Sequence, residues 1–248
     1  MIALLIFIAL VLLLWGCAWF GAAILGPRRR TEQIAHEDFK LLVAAALTLV
    51  GLIIGFSFSM ATSRYDQRKN YEEAEANAIG TEYLRVGLLP AADAVNVRAL
   101  LRGYLEERIL FYTTRDGERL RQINERTATT QAQLWSAVQA SALEHPDVLK
   151  SLAIAGMNEV LNSQGYTLAA WRNRIPTPAW ALMIVVAMLG NTMIGFAFSE
   201  LPRPGLRLVV LPVIVSIAWF LIADIDSPRG GVIHVAPENL LSLAASLR

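Results

Sequence analysis

One unbroken segment, Leu41 to Arg85, constrains the fold of this chain more than any other. It opens with 23 residues, Leu41 to Ser63, that carry no charge. At 1.5 Å per residue, a helix of that length exceeds the ~30 Å hydrocarbon thickness of a bilayer. The sequence then continues, with no proline and a single glycine, into residues rich in Glu and Arg. The pattern predicts one continuous helix that crosses a membrane and extends into a soluble helical domain.

A stripe of polar and apolar side chains runs along the membrane half of this segment. Thr48, Leu52 and Phe56 recur every four residues, so they lie one above the other on a helix. Ser59 and Ser63 follow near the same stripe, one and two turns later. Lipid does not require such a stripe, whereas a pore lining or a seam between helices uses one. These five side chains are therefore the candidate pore or neck residues.

Three more uncharged runs complete the membrane layout. They are Ile2–Leu25 (24 residues), Ile175–Ser199 (25 residues) and Leu208–Ala223 (16 residues, with Pro212 inside). The last is short for a span, but the tight loop before it leaves room for nothing else. With 55% hydrophobic and 17% charged residues, the composition is that of an integral membrane protein. The net charge of +1 argues against nucleic acid as a partner and leaves the lipid bilayer as the expected one.

The expected fold is all-α, with four transmembrane helices and a helical soluble domain inserted between helices 2 and 3. We divide the chain into transmembrane helices 1 and 2 (residues 1–63), the soluble domain (64–174), transmembrane helices 3 and 4 (175–224) and a C-terminal tail (225–248). Helix breakers divide the soluble domain into four helices, to about Leu89 and then 91–114, 117–144 and 147–172. In the tail, Pro237 is placed to open a short helix.

Signals of catalysis are absent from the sequence. It has no metalloprotease, di-iron, dinucleotide-binding or nucleotide-triphosphate motif, so we expect neither an enzyme nor a cofactor. Glu75 and Glu82 lie two turns apart on one helix, where they could share a cation. The favoured interpretation is that they belong to a solvated or salt-bridged face. Asp224 and Asp226 could bind a cation at the end of the fourth span, but a helix-end turn stabilised by Arg229 is the default.

Several motifs resemble known membrane proteins. The segment LIIGFSFSMATSRYDQ resembles the second transmembrane helix of bestrophin anion channels, with Gly55-Phe56 and Arg64-Tyr65 at the matching places. The motifs EEAEANAIGTEYLR, NRIPTPAW and DIDSPRGG resemble the bacterial bestrophin-like family of membrane proteins. That resemblance extends over most of the chain beyond residue 40.

The resemblance implies a homo-oligomer, a pentamer, that conducts small inorganic ions, chloride or other anions, across a bacterial inner membrane. Phe56 and Leu52 would then form a hydrophobic neck. Basic residues near the spans are equally frequent on both sides, and Arg28 to Arg30 favour a soluble domain outside the cytoplasm. The resemblance implies the reverse, a cytoplasmic domain, which we adopt. Bestrophins carry a dense acidic calcium-binding segment after the fourth helix, and Asp224 and Asp226 are much sparser.

Two functions remain open at this point. One is the ion channel, in which several copies of the second helix surround a pore. The other is a non-conducting membrane sensor or scaffold, whose helical domain binds a partner protein and whose stripe only packs helices together. A ring of subunits with the second helix at its axis would distinguish the first from the second.

Overall fold

The computed structural model describes residues 2–26, 36–144, 147–200 and 206–247, which are helical or in short turns and include no strand. The principal helices are α1 (Ile2–Phe20), α2 (His36–Arg85), α3 (Ala91–Thr113), α4 (Gly117–Glu144), α5 (Lys150–Arg172), α6 (Thr177–Ala197), α7 (Arg207–Asp226) and α8 (Glu238–Ser246). A π-helical turn continues α1 (Gly21–Leu25), and 3₁₀ turns follow α2 (Val86–Leu88) and α6 (Phe198–Glu200). The prediction of an all-α fold is confirmed.

Four helical stretches of the described chain are long and apolar enough to cross a membrane, which confirms the predicted number. They are Leu4–Leu25, Leu41–Leu88, Lys150–Ala197 and Arg207–Asp226. The second and third, at 48 residues each, are far longer than a bilayer requires, so the uncharged parts of α2 and α6 are the spans themselves. The basic run Arg28 to Arg30, which bears on orientation, lies outside the described residues.

The predicted fourth span is present and is longer than its uncharged run of 16 residues. Helix α7 has 20 residues because Arg207 begins it and Asp224 to Asp226 end it. The sequence argument stopped at the first charge on each side, whereas a helix can carry charges in its end turns. At 1.5 Å per residue, α7 reaches the ~30 Å that a span needs.

The chain divides into two compact units. The membrane unit contains Met1–Ser63 and Arg174–Ser227, and the helical unit contains Arg64–Asn173 and Pro228–Arg248. Helix α2 is unbroken over 50 residues and contributes to both. The continuous helix predicted from Leu41 to Arg85 is therefore present. The C-terminal segment from Pro228 belongs to the helical unit and does not stand apart as a tail.

Close approach between α1 and α6 holds the membrane unit together. A Cβ at Gly195 would overlap the backbone of Ala18, and a Cβ at Gly21 would overlap the backbone of Thr192. Small residues at such crossings let helix backbones meet in lipid, where packing replaces the hydrophobic effect as the driving force. Asn191 is buried, and its Nδ2 donates to Ala187 O of its own helix at 2.8 Å.

The helical unit has its own apolar core. Side chains from five helices meet in it, among them Ile79, Leu101, Leu134, Met157 and Leu240, each with no exposed surface. The breakers predict the helix ends well: α3 follows Pro90 and α8 follows Pro237. Helix α5 begins at Lys150, three residues later than expected, because a turn at 147–149 precedes it.

Helix α8 is fixed in the helical unit by a carboxylate. Glu72 of α2 is buried, and its Oε1 accepts a hydrogen bond from the backbone N–H of Leu240 at 2.9 Å. Its Oε2 accepts a second bond from Asn239 Nδ2 at 2.6 Å. A carboxylate at the first turn satisfies N–H groups that have no partner inside the helix and matches the positive end of the helix dipole. The short terminal helix is thereby held against α2.

Candidate functional site

The predicted stripe lies on an exposed face of α2. In the single chain Phe56 is 63% exposed and Leu52 is 51% exposed. Thr48, Ser59 and Ser63 are exposed as well. Thr48 Oγ1 donates to Ala44 O in its own helix at 2.9 Å. The hydroxyls of Ser59 and Ser63 make no hydrogen bond to another residue of the described chain.

A different face of α2 packs inside the membrane unit. Val50, Ser57 and Ala61 are buried there, and Ser57 Oγ lies 3.2 Å from Met183 Sδ of α6. Only 11% of the most apolar part of α2 is nevertheless buried, against 39% of the corresponding part of α7. The stripe with Phe56 is therefore not used to pack helices within one chain.

The acidic residues singled out on α2, Glu75 and Glu82, lie in different environments. Glu75 is fully buried and forms an ion pair with Arg108 of α3. Its Oε2 also accepts hydrogen bonds from Tyr112 Oη at 3.2 Å and Thr167 Oγ1 at 3.1 Å. Glu75 is therefore part of a buried salt bridge and does not lie on a solvated face. In the described residues no group of three or more His, Cys, Asp or Glu is placed to hold a metal ion.

The charges of Glu75 and Arg108 affect the pKa of Arg108 itself and that of the adjacent Tyr112. Burial alone would lower the pKa of Arg108, but the adjacent Glu75 carboxylate outweighs it and holds that pKa above its usual value. Burial, and then the negative charge of Glu75, raise the pKa of Tyr112. Arg108 also stands 4.4 Å from the centre of the Phe111 ring, a cation–π contact. The site is an ion pair held in a polar and aromatic cage.

Glu82 has a different environment. It has no exposed surface, and neither carboxylate oxygen has a hydrogen-bond partner in the described chain. A Cβ at Gly156 of α5 would overlap Glu82 Oε2, so the two helices meet closely here. Arg85 lies nearby but is paired, at 3.7 Å, with Glu159. Glu82 is thus a buried acid without a salt bridge, contrary to the interpretation favoured from sequence.

Replacing Glu82 with methionine should stabilise the chain. An unsatisfied buried polar group costs ~1–3 kcal/mol, and an unbranched apolar side chain of similar length removes that cost. We expect Glu82→Met to raise the free energy of unfolding by about that amount in thermal unfolding of the detergent-solubilised chain. Glu73→Met, at an exposed position on the same helix, should change it by less than ~0.5 kcal/mol. A destabilised Glu82→Met would mean that the carboxyl group has a stabilising partner.

Of the two aspartates at the end of α7, Asp226 has a structural role. Both carboxylate oxygens of Asp226 accept from the backbone N–H of Ile175, at 3.1 Å each, and Asp226 is buried. Asp224 is half-buried. Arg229, expected to stabilise the helix-end turn, has other partners: its Nη1 donates to Phe111 O and Thr114 O at the end of α3, each at 2.7 Å.

A family model decides the relationship of this chain. The model of the bestrophin-like domain matches residues 8–240. The chain belongs to the bestrophin-like domain family. Membership supports a channel-type role and not an enzymatic one. With four apolar spanning helices, this bestrophin-like chain is a multi-pass membrane protein. No curated protein matches it by sequence.

Solved structures agree with the family at the level of the fold. A bacterial bestrophin homologue from Klebsiella pneumoniae is 16% identical, with a TM-score of 0.66 over 96% of this chain and 98% of that chain. A second structure of that homologue, with a tryptophan-to-alanine substitution, is 16% identical, with a TM-score of 0.70 over 98% of each chain. The bestrophin-like chain therefore has a bestrophin fold along nearly its whole length.

Sequence reasoning missed two parts of the helical unit. Arg108 is completely buried, although arginine is rarely found fully buried in proteins. Its spacing from Leu101 and Tyr104, seven and four residues earlier, puts it on the apolar face and was a usable signal. The capping of α8 by Glu72 had no such signal, because the partners are 168 residues apart.

Proposed function

We propose that this chain is a subunit of a homo-oligomeric anion channel in which α2 from several copies surrounds the pore. The exposed stripe on α2 carries the proposal. Phe56 and Leu52 are large apolar side chains that the chain itself leaves mostly uncovered. Assembly of several copies would bring these side chains together and reduce the apolar surface that a single chain exposes to lipid or solvent.

The serines of the stripe favour a pore over lipid. An unpaired hydroxyl facing hydrocarbon is unfavourable, because nothing there can accept or donate a hydrogen bond. Ser59 and Ser63 have no partner in the described chain. Water in a pore that widens beyond Phe56, or a neighbouring subunit, would satisfy them.

The apolar part of the stripe would act as the gate. A ring of Phe56 and Leu52 side chains forms a hydrophobic constriction, which closes by losing its water. Phenyl edges carry partial positive charge, so such a ring tolerates an anion without trapping it. We assign Phe56 to the neck, with Leu52 one turn and Thr48 two turns along the same stripe.

The finer points rest on resemblance to bestrophins. We propose five subunits, a bacterial inner-membrane location and a cytoplasmic helical soluble domain at residues 64–174. Ion selectivity for chloride belongs to the same proposal. Asp224 and Asp226 are not assigned to calcium, since Asp226 is engaged with the Ile175 backbone.

Cysteine cross-linking tests the arrangement of α2. Cys17 is the only cysteine in the sequence, so Cys17→Ser provides a thiol-free background. Phe56→Cys in that background should form disulfide-linked dimers in nanodiscs on oxidation, because its copies meet near one axis. Ile6→Cys, equally exposed at 62% on the stripe-free α1, should remain largely uncross-linked.

Imaging of the assembled oligomer provides a second test. Particle images of the full chain in nanodiscs should have a ring of five with α2 innermost. Absence of cross-linking at position 56 in an assembled oligomer, or equal cross-linking at both positions, would exclude the axial arrangement. A monomer or an open assembly would favour the sensor or scaffold instead.

A further inference from the structure

A cavity of about 270 Å³ lies in the helical unit between the end of α3 and the segment that leads to α8. Its basic lining residues are Arg115, Arg229 and His234, and the hydroxyl residues Thr113 and Thr114 contribute as well. Among the described residues that line it there is no Asp or Glu. A concave site with basic groups of one sign attracts an anionic ligand.

Arg229 is held rigidly in this cavity. Its Nη1 donates hydrogen bonds to the backbone carbonyls of Phe111 and Thr114. The guanidinium lies 4.5 Å from the centre of the Phe111 ring and 4.2 Å from that of Trp171. A fixed guanidinium loses little conformational entropy when it binds a ligand, which is the advantage of preorganisation.

The positive charge of Arg229 has no carboxylate to balance it within the described chain. Two backbone carbonyls and two rings are its partners, and its remaining N–H groups have none there. Burial, and then the nearby Arg108, lower the pKa of Arg229 to about 10, so it stays charged at neutral pH. Arg108 differs in this respect, because Glu75 neutralises it.

We propose that this cavity binds a phosphate group, with Arg229 as its anchor and Arg115 and His234 completing the site. The planar guanidinium presents paired N–H donors that match two oxygens of a phosphate, and hydrogen bonds between charged groups are the strong ones. The hydroxyl of Thr114 can donate to a remaining phosphate oxygen, whereas that of Thr113 donates to Ile109 O in its own helix. The volume exceeds that of inorganic phosphate, so a small organic phosphate or a lipid headgroup would also fit.

The test is binding of inorganic phosphate to the full chain in phosphatidylcholine nanodiscs, by titration calorimetry at constant ionic strength with sodium chloride as the balancing salt. Arg115→Gln should raise the Kd at least ~10-fold, because it removes a charge-assisted hydrogen bond to the phosphate. Its side chain is exposed, so the fold should be kept. Arg119→Gln removes the same charge from an exposed position outside the cavity and should leave the Kd within about twofold.

A second arm separates the two sources of phosphate. Saturable binding of free phosphate assigns a soluble ligand. A rise in thermal stability with phosphatidic acid in the nanodisc, without binding of free phosphate, assigns a lipid headgroup, provided that Arg115→Gln abolishes it. Equal weakening by Arg115→Gln and Arg119→Gln, or no response of the wild type to either form of phosphate, would overturn the proposal.

Discussion

Arg108→Met should be among the most destabilising single substitutions in the helical unit. It removes the partner of Glu75 and leaves a fully buried carboxylate without its counter-charge. Breaking a buried ion pair in this way costs ~3–5 kcal/mol. In a unit of this size that corresponds to a fall in Tm of about 10 °C. Thermal unfolding of the detergent-solubilised chain, followed by circular dichroism, measures it.

A compensating substitution shows whether the loss of stability comes from the unpaired charge of Glu75 or from the lost packing of the Arg108 side chain. Adding Glu75→Gln to Arg108→Met removes the orphaned charge but keeps an amide oxygen that can accept from Tyr112 and Thr167. The double variant should regain most of the lost stability, because apolar or neutral replacement of a whole buried pair is often close to neutral. No recovery would mean that loss of packing by the guanidinium dominates.

A surface ion pair supplies the control. Arg121 pairs with Glu118 and Glu125 on the exposed face of α4, where the side chains are about 60% exposed. Arg121→Met should leave the Tm nearly unchanged, because water screens the charges of these exposed pairs. Equal costs for Arg108→Met and Arg121→Met would contradict the role assigned to the buried pair.

The two pairs illustrate what can be predicted from this sequence. Helical periodicity predicted the unbroken α2 and placed Thr48, Leu52 and Phe56 on one face, because both follow from local spacing. Proline and glycine predicted most helix ends for the same reason. The partners of Glu75, Glu72 and Arg229 could not be predicted, since they lie 33 or more residues away and depend on how the helices pack.

The proposed channel depends on contacts between copies, which a single chain does not contain. The stripe on α2 is exposed in the single chain, and in the proposed channel its residues would line a common axis. Sequence could identify the stripe by its mixture of apolar and hydroxyl side chains. The same stripe could belong to a pore or to a packed seam, so the distinction has to come from a measurement on the oligomer.

Chloride flux should rise strongly when the neck is widened. We expect the double variant Phe56→Ala, Leu52→Ala to increase chloride flux in reconstituted liposomes by at least ~10-fold over the wild type. A hydrophobic constriction conducts poorly because an ion must shed water to pass it, and smaller side chains let water remain. Each factor of ten corresponds to ~1.4 kcal/mol of barrier, a fraction of the dehydration penalty at such a constriction.

A matched variant separates a neck from a packed seam. Ile6→Ala removes a similarly exposed side chain from α1 and should leave the flux unchanged. If the stripe only packed helices, large-to-small changes would cost ~2–5 kcal/mol and weaken the oligomer without creating flux. The mass of the oligomer that each reconstituted variant forms must therefore be measured together with its chloride flux. Background-level flux from both the wild type and a correctly assembled double variant would exclude the channel and leave the scaffold.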